Sequence, residues 1–295
     1  MKRLSYLILN FITHRNFLIF NLIFIGIIAS LTVGARNNSS DTASDTVKYS
    51  WDRFSVTFGG FVTGMNSDIQ LSSEQVGLGV IVNVEDALGL KTSATVLRSG
   101  MQYNFGKRRR QTASVDYFGL LRNANKILET EIEIGDKIFP IGTKVDSKFN
   151  LQIFKGTYSY AFYRDTRVKL DASLGLFIMP ISFSITALDF SEETASFVAP
   201  LPVLGLGATY AITPKLYIKQ SVEFLYLEIS NFKGAISDIN IHLEYNLWKH
   251  FGFGGGLNTY QLNIEAYKDK NAFFNFKGSI KTGYTGLLFY AKYYF

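Results

Sequence analysis

Two side chains in the last third of the chain have the types and spacing of a proton-transfer pair. His242 and Glu244 are two residues apart, so they share one face of any extended segment, and Lys219 and Glu223 lie on the segment before it. An imidazole beside a carboxylate can act as a general acid or base. The same groups also form the buried ion pairs and hydrogen bonds that fill the interior of a β-protein. The sequence favours this structural role, and we assign no catalytic residue.

Patterns for binding a metal or a cofactor are weak. The chain has 3 histidines and no cysteine, which leaves too few ligands for a transition metal and excludes disulfides and thiol chemistry. The glycine-rich residues 252–256 lack the Lys-Ser/Thr pair and the helix of a phosphate-binding loop. Glu129, Glu131 and Glu133 alternate, which favours the solvated face of a hairpin over a calcium or polysaccharide contact. We therefore predict no metal and no cofactor.

The amino-terminal segment has the pattern of a secretory signal. Basic residues precede an almost wholly apolar stretch over residues 17–33, and the small residues of Val33-Gly34-Ala35 follow. We predict a cleaved signal peptide over 1–35 and export by the general secretory route, then a disordered periplasmic segment over 36–50 and one domain over 51–295. An uncleaved membrane anchor is the alternative, because the apolar stretch approaches the roughly 20 residues that a span needs.

Charge and composition narrow the class further. The net charge is +6, and three positive charges, on Lys2, Arg3 and Arg15, lie in the predicted signal, which has no acid; the mature chain therefore carries 6 − 3 = +3. Such a small excess predicts no nucleic-acid partner. With 26 Phe, 17 Tyr and 25 Gly, the chain is too aromatic and too glycine-rich for a helical bundle, and this composition favours strands.

Segments of about ten residues alternate between apolar and polar side chains, which is the pattern of a membrane-spanning strand. In residues 238–247, Ile239, Ile241 and Leu243 share one face, and His242 and Glu244 share the other. Lipid offers the backbone no hydrogen-bond partner, so spanning strands must close into a barrel. We predict an all-β fold, a transmembrane antiparallel up-and-down β-barrel of about ten strands within a range of eight to twelve. The other alternating segments are 54–63, 97–105, 113–122 and 167–178. A soluble β-sandwich is the alternative fold.

Short and long connections alternate between these segments. Outer-membrane barrels have short periplasmic turns and longer extracellular loops, so the alternation predicts a periplasmic amino terminus. The pattern slips by one residue between Ile153 and Phe154, which predicts a β-bulge there. The short connections are 106–110, 163–166, 212–214 and 248–250, and the long ones are 65–92, 123–147, 186–199, 230–237 and 266–275.

The last nine residues resemble the closing strand of outer-membrane barrel proteins, because Leu287, Phe289, Ala291 and Tyr293 precede the terminal Phe295 at every second position. The resemblance implies outer-membrane lipid around the protein and recognition of the strand ending at Phe295 by the barrel-assembly machinery. A second likeness rests on residues 83–90 (NVEDALGL), with Phe139-Pro140-Ile141-Gly142 further on. These residues resemble a class of uncharacterised small exported barrel proteins that have an acidic-Leu-Gly-Leu segment in the first loop. This likeness implies the fold and brings no activity.

Three functions follow from this reading. We expect an integral protein of the bacterial outer membrane with a structural role, or one that binds a surface partner through its extracellular loops. At this strand number side chains largely fill the interior. A narrow channel or transporter for a small or hydrophobic solute is the first alternative. The second is an enzyme that modifies lipid or peptide, which would start from His242 and Glu244, although the chain lacks the paired acids and Asp-His of omptin-type barrel proteases.

Overall fold

The computed structural model of the chain describes residues 52–73, 77–78, 81–134, 137–187, 190–229, 232–266 and 278–295. The predicted signal peptide and the segment 36–50 lie outside the described residues. One short helix, α1 (Val84–Leu88), and a 3-10 turn (Lys107–Arg109) accompany the strands, and no helix in the described part is long and apolar enough to cross a membrane. The strands are β1 (Phe54–Ser73), β2 (Gly77–Leu78), β3 (Val82–Asn83), β4 (Ser93–Phe105), β5 (Gln111–Ile127), β6 (Ile132–Ile134), β7 (Lys137–Phe139), β8 (Lys144–Arg164), β9 (Val168–Ala187), β10 (Phe190–Ala211), β11 (Leu216–Ile229), β12 (Phe232–Tyr245), β13 (Phe251–Ala266) and β14 (Gly278–Tyr294).

Ten of these strands form a closed antiparallel barrel. The order is β1, β4, β5 and then β8 to β14, and β14 returns to pair with β1 from Ser55 opposite Tyr294 to Leu71 opposite Gly278. The predicted fold and the count of ten strands are confirmed. The short strands β2 and β3 pair with β1 inside the first long connection and add no spanning strand.

An apolar belt of outward side chains marks the part of the barrel that spans the membrane. On β9, Leu174, Leu176 and Ile178 point outward and are 59%, 43% and 40% exposed. A tilted strand needs about 9–11 residues to cross the bilayer. Exposed aromatic residues, which favour the membrane interface, lie at the end of the belt near the chain termini: Tyr103, Tyr160, Tyr245, Trp248, Tyr293 and Phe295. That end also carries the short turns and is therefore the periplasmic end.

The two faces of the strands exchange character above the belt. On β9 the inward side chains become Phe177, Met179 and Ile181, all fully buried, and the outward ones become Ser182 and Ser184. Water now surrounds the outside of the barrel, so the outer face is polar and the inner face packs as an apolar core. The interior is therefore mainly polar in its periplasmic half and mainly apolar in its extracellular half, which corrects the expectation that the inward faces of the strands are polar.

This exchange explains why two predicted loops and one predicted β-bulge are wrong. The predicted loop 186–199 is strand on both sides of residues 188–189, and the predicted loop 230–237 is strand from Phe232 onward. The predicted bulge at Ile153 and Phe154 is also wrong, because β8 keeps one register against β9 from Phe149 to Ala161 and shifts only between Ala161 and Tyr163. The apparent slip is the point where the inward face turns from polar to apolar.

Two connecting elements cover the extracellular end of the apolar core. Helix α1 inserts Val84 and Leu88, and the β6–β7 hairpin adds Ile132, Ile134 and Phe139. Of the three acids predicted on the solvated face of this connection, Glu129 and Glu131 are exposed and Glu133 is half-buried. The connections therefore close the barrel rather than leaving its mouth open in the part of the chain that the structure describes.

Candidate functional site

A layer of aromatic rings crosses the barrel at the boundary between its apolar and polar halves. We call this layer the aromatic septum; its members are Phe61, Phe118, Phe177, Tyr260 and Tyr284, which come from five different strands. Tyr284 is the centre, with ring centroids 5.1 Å from Phe61, 5.2 Å from Tyr260 and 5.9 Å from Phe118. Phe177 joins through Tyr260 at 6.4 Å. All five rings are almost completely buried, so the septum leaves no open path between the two halves along these residues.

A polar chamber lies below the septum. It has a cavity of about 270 Å³, and its lining extends down to Arg109 and Arg164 at the short turns, so the chamber faces the periplasmic end. Polar and charged side chains from seven strands line it, and the septum closes its other end. We define the chamber by this cavity, and it is the candidate site of the molecule.

Lys155 ties three strands together directly beneath the septum. Its Nζ donates to Glu223 Oε2, lies 3.5 Å from Asp238 Oδ2, and sits 5.3 Å from the ring centre of Phe177. The second carboxylate oxygen of Asp238 accepts from Asn240 at 3.1 Å and from Asn258 at 2.7 Å. These charges are almost fully buried, and β8 reaches β11 and β12 across the lumen rather than along the sheet. The contact therefore holds opposite walls of the barrel at a fixed distance.

A second ion cluster links the closing strands at the periplasmic end. Glu244 accepts from Lys219 Nζ at 2.9 Å, Lys292 Nζ at 2.7 Å and Tyr290 Oη at 3.0 Å. Lys292, on β14, also donates to Asp52, which precedes β1. Both carboxylate oxygens of Glu244 are thereby occupied, and the cluster joins the first and last strands where the barrel closes.

His242 and Glu244 both point into the barrel, as the alternation in the sequence predicts. Glu244, however, accepts hydrogen bonds from two lysines and a tyrosine and not from His242. The ring centroid of His242 lies 5.7 Å from that of Tyr290. His242 Nε2 is buried and has no hydrogen-bond partner among the described residues. His250, the other histidine among the residues that the structure describes, lies in a periplasmic turn with Nδ1 3.0 Å from the carbonyl oxygen of Tyr294. The two side chains therefore pack in the barrel wall with other partners and do not form a hydrogen-bonded His–Glu pair.

Glycine is the sequence signal that accompanies the buried charges. On the inward face, Gly100 is opposite Asp116, Gly207 is opposite Asp171 and Gly205 is opposite Glu223 in the strand ladders. A Cβ atom at Gly207 would lie 2.6 Å from Asp171 Oδ1. The missing side chain thus makes room for a carboxylate on the next strand, as in small barrels that alternate large and small residues. This signal becomes readable only when the strand register is known.

The first long connection is held to the barrel by a buried ion pair. Arg122 Nη1 donates to Glu85 Oε1 of α1, and the other carboxylate oxygen accepts from the Ser67 backbone N–H at 2.8 Å. Arg122 Nη2 donates to Ser67 Oγ at 2.8 Å. Asn83 caps the helix through the Asp86 N–H, and Gly89 ends it with φ 72°, where glycine is favoured. The acidic-Leu-Gly-Leu segment is therefore a capped helix whose acid enters the barrel wall.

Comparisons with known proteins agree with this architecture. No protein-family model matches the chain, and no curated protein matches it. Among solved structures, it is similar to the outer membrane protease OmpT from Escherichia coli, with a TM-score of 0.52 and 8% identity over 87% of this chain and 100% of that one. It is also similar to the transport unit of the autotransporter AIDA-I from Escherichia coli, at 0.38 and 8% over 85% and 93%. Ail, the attachment invasion locus protein of Yersinia pestis, gives 0.36 and 9% over 81% and 99%.

The closed ring of ten strands and its apolar belt define the class: the chain has the fold of an outer-membrane β-barrel protein. The similarity to OmpT rests on the course of the backbone, since the identity is 8%. It establishes the fold alone, and the role of the protein has to be argued from its own interior.

Proposed function

We propose that the chain is a non-conducting protein of the bacterial outer membrane whose strand extensions hold its long connections above the bilayer as a platform for a surface partner. The observation that carries this proposal is the apolar packing of the extracellular half of the lumen. Above the septum, Phe149, Leu151, Phe183 and Ile185 point inward and are almost completely buried. A solute would have to displace both this core and the septum. Protein interiors are close-packed, so displacing these side chains costs free energy.

The strand extensions give the platform its stiffness. The β9–β10 ladder continues from Tyr210 opposite Val168 to Phe190 opposite Ala187, with one irregularity near its extracellular end. The β8–β9 ladder also reaches Val145 opposite Ala187. Paired strands with an apolar inner face and a polar outer face behave like a soluble β-protein fixed on a membrane base. Loops that such strands carry are well placed to present a binding surface.

Location and assembly belong to the same proposal. Export by the general secretory route precedes insertion, and the barrel-assembly machinery recognises the strand that ends at Phe295. The position of Phe295 supports this step, because its N–H donates to the carbonyl of Phe54 at 3.0 Å and its carbonyl accepts from the Phe54 N–H at 2.9 Å. The terminal residue thus completes the ring with β1, and outer-membrane lipid surrounds the apolar belt.

The proposal assigns no catalytic role. OmpT is an outer membrane protease, but His242 and Glu244 of this chain lie in the periplasmic half, below the septum, and Glu244 is occupied by three donors. A surface-acting enzyme would need its catalytic groups at the extracellular end. The described groups there include the exposed acids of the β6–β7 connection, and no cluster of three or more potential metal-ligating side chains occurs in the described part of the chain.

One feature favours a second candidate function, the passage of a hydrophobic solute. The ladder between β10 and β11 ends at Leu204 opposite Phe224, although both strands continue above that point. Pro200 and Pro202 lie on β10 just beyond the end of the ladder, and proline has no N–H with which to extend it. The end of the β10–β11 ladder lies near the extracellular edge of the apolar belt, so a lipid-soluble molecule would reach it laterally from the bilayer. Faster uptake of a hydrophobic fluorescent dye by cells producing the protein would support this candidate over the platform.

Planar-bilayer recording tests the proposed function directly. The purified, folded protein is added to a bilayer beside a general porin as positive control, and its heat-dependent gel mobility verifies that the barrel is folded. We expect the baseline current of a protein-free bilayer, because the septum and the core fill the lumen. Reproducible conductance steps of one unit size would contradict a non-conducting barrel and would favour the channel.

A further inference from the structure

The chamber contains cationic side chains with unused hydrogen-bonding capacity. Arg98 is the clearest example: it lies on the inward face of β4, with its guanidinium carbon 5.6 Å from the ring centre of Phe118 in the septum. Its nitrogens lie 3.5 Å from Asn240 Oδ1 and 3.8 Å from Asp116 Oδ1. Both distances are longer than the 2.7–3.2 Å of a normal N–H···O bond. The planar fork of five donors therefore faces the cavity with only weak partners.

The acids of the lumen are, by contrast, mostly occupied. Glu223, Asp238 and Glu244 accept short hydrogen bonds from lysines, amides or a tyrosine, and they are almost fully buried. Two carboxylates remain beside the cavity, Asp116 and Asp171, and each has its cation at a distance above 3.5 Å. The chamber thus offers more free donors than free acceptors.

Two further cations share this cavity with Arg98. Lys219 uses one bond to Glu244 and keeps a third of its side chain exposed. Lys169 donates to Thr112 Oγ1 at 3.2 Å and lies 3.6 Å from Asp171. An ammonium group has three donors, so both lysines can bind another oxygen in the chamber.

The mouth of the chamber is also basic. The turn Lys107-Arg108-Arg109-Arg110 lies at the periplasmic rim, below the apolar belt, and Arg164 donates to the carbonyls of Arg108 and Arg109. Partial burial and the neighbouring charges of Arg109 and Arg110 lower the pKa of Arg164 to about 10, which leaves it charged at neutral pH. Like charges gathered at the entrance of a cleft raise the local concentration of oppositely charged solutes.

Buried polar atoms in the wall also lack partners. His242 Nε2 and Thr157 Oγ1 both belong to residues that line the chamber, and neither has a hydrogen-bond partner among the described residues. Buried polar atoms are normally satisfied by protein, water or ligand. The wall of the chamber therefore has polar capacity that its own side chains do not use.

We propose that the chamber binds a small oxyanionic solute from the periplasm, through a carboxylate or phosphate group held by Arg98 at the foot of the septum. The guanidinium fork matches both groups in two-point geometry. Lys169 and Lys219 line the same cavity nearer its periplasmic mouth, and hydroxyl side chains of the wall, such as Ser114, are available to the rest of the solute. This site is independent of the extracellular platform, and a non-conducting barrel can have it.

Binding to the purified, detergent-solubilised full chain tests the proposal. Inorganic phosphate and succinate are titrated separately by calorimetry at constant ionic strength, with chloride as the reference salt, so that the two arms distinguish phosphate from carboxylate. We expect saturable binding of at least one of them, and an affinity about tenfold or more weaker in Arg98→Gln, which is the loss of roughly one charge-assisted contact. Lys249→Gln, which removes one exposed charge from a periplasmic turn, should bind as the wild type does.

A variant of opposite sign keeps the test decisive if Arg98→Gln fails to fold. Asp116→Asn removes the carboxylate nearest to Arg98 and should tighten binding by about threefold or more, because a repelling charge beside the ligand is lost. Heat-dependent gel mobility shows which variants are folded. No saturable binding of either anion to the folded wild type, or an affinity that Asp116→Asn leaves unchanged or lowers, would overturn the proposal and leave a water-filled chamber.

Discussion

Replacing Lys155 with alanine is expected to lower the free energy of unfolding by about 3–5 kcal/mol, the range for a buried ion pair that loses one partner. The substitution leaves Glu223 and Asp238 beneath the septum without their cation. It also removes the contact that joins β8 to β11 and β12 across the lumen. Urea titration of the protein in detergent micelles, followed by the fraction of unboiled protein that keeps its folded mobility on a gel, measures the change.

Lys148 supplies a matched control for this substitution. It lies on the same strand and has an exposed outward side chain, so Lys148→Ala should change the free energy of unfolding by no more than about 0.5 kcal/mol. Adding Glu223→Gln and Asp238→Asn to Lys155→Ala should recover part of the loss, since no buried charge is then left unpaired. Equal effects of the two lysine substitutions would show that the transluminal ion pair contributes nothing to stability.

Gly256→Ala is expected to be among the most damaging single-methyl changes in the barrel. A Cβ atom at position 256 would lie 2.0 Å from the carbonyl oxygen of Ile241 and 2.8 Å from the Cα of His242, both on the neighbouring strand. Backbone atoms in a closed ladder cannot rotate away as a side chain can. We expect a loss of about 3 kcal/mol or more, at the upper end of the range for overpacking, in the same urea titration.

The control for Gly256 is a glycine with space around it. Gly156 lies on β8 within the belt, and a Cβ atom there would meet nothing within 4 Å. Gly156→Ala should be neutral or stabilising by about 0.5 kcal/mol, because glycine in a strand interior loses more backbone entropy on folding than alanine does. If both variants unfold at the same urea concentration as the wild type, the close approach of β12 and β13 is not present in the folded protein.

The barrel was predictable from sequence because lipid imposes a simple rule on its strands. Outward side chains must be apolar wherever they meet the bilayer, so Ile239, Ile241 and Leu243 alternate with polar residues and reveal both the strand and its outward face. The terminal pattern ending at Phe295 marks the closing strand in the same way. These signals are local in sequence, and the number of strands and their order follow from counting them.

The extent of the strands was not predictable from that rule. Once a strand leaves the bilayer, water lies outside it and the core inside, so Ser182 faces outward and Phe183 inward. The alternation then continues with the polar side chains outward and the apolar ones inward, so β9 looked as if it ended before residue 186 and β10 as if it began after residue 199. A rule that allowed the sign to change once along each strand would have found both.

The ion pairs of the interior were beyond the sequence for a different reason. His242 and Glu244 were assigned correctly to the inward face, since neighbours on one strand need only its period. Lys155 meets Glu223 across the barrel, 68 residues further along the chain. Such a contact depends on the register and closure of every strand between, and no local pattern reports it. The partner of Glu85 in α1, Arg122 on β5, was missed for the same reason.

Site-directed labelling of single cysteines on β9 tests most directly that the strands cross the membrane and then reverse their faces. The chain has no cysteine of its own, so each introduced thiol reports one position. A bulky, membrane-impermeant maleimide is added to intact cells that produce Leu176→Cys, Ser182→Cys or Phe183→Cys. We predict labelling of Ser182→Cys alone, because position 176 faces lipid and position 183 faces the apolar core. Labelling of Phe183→Cys with Ser182→Cys protected would contradict the reversal of the two faces, and with it the filled extracellular half.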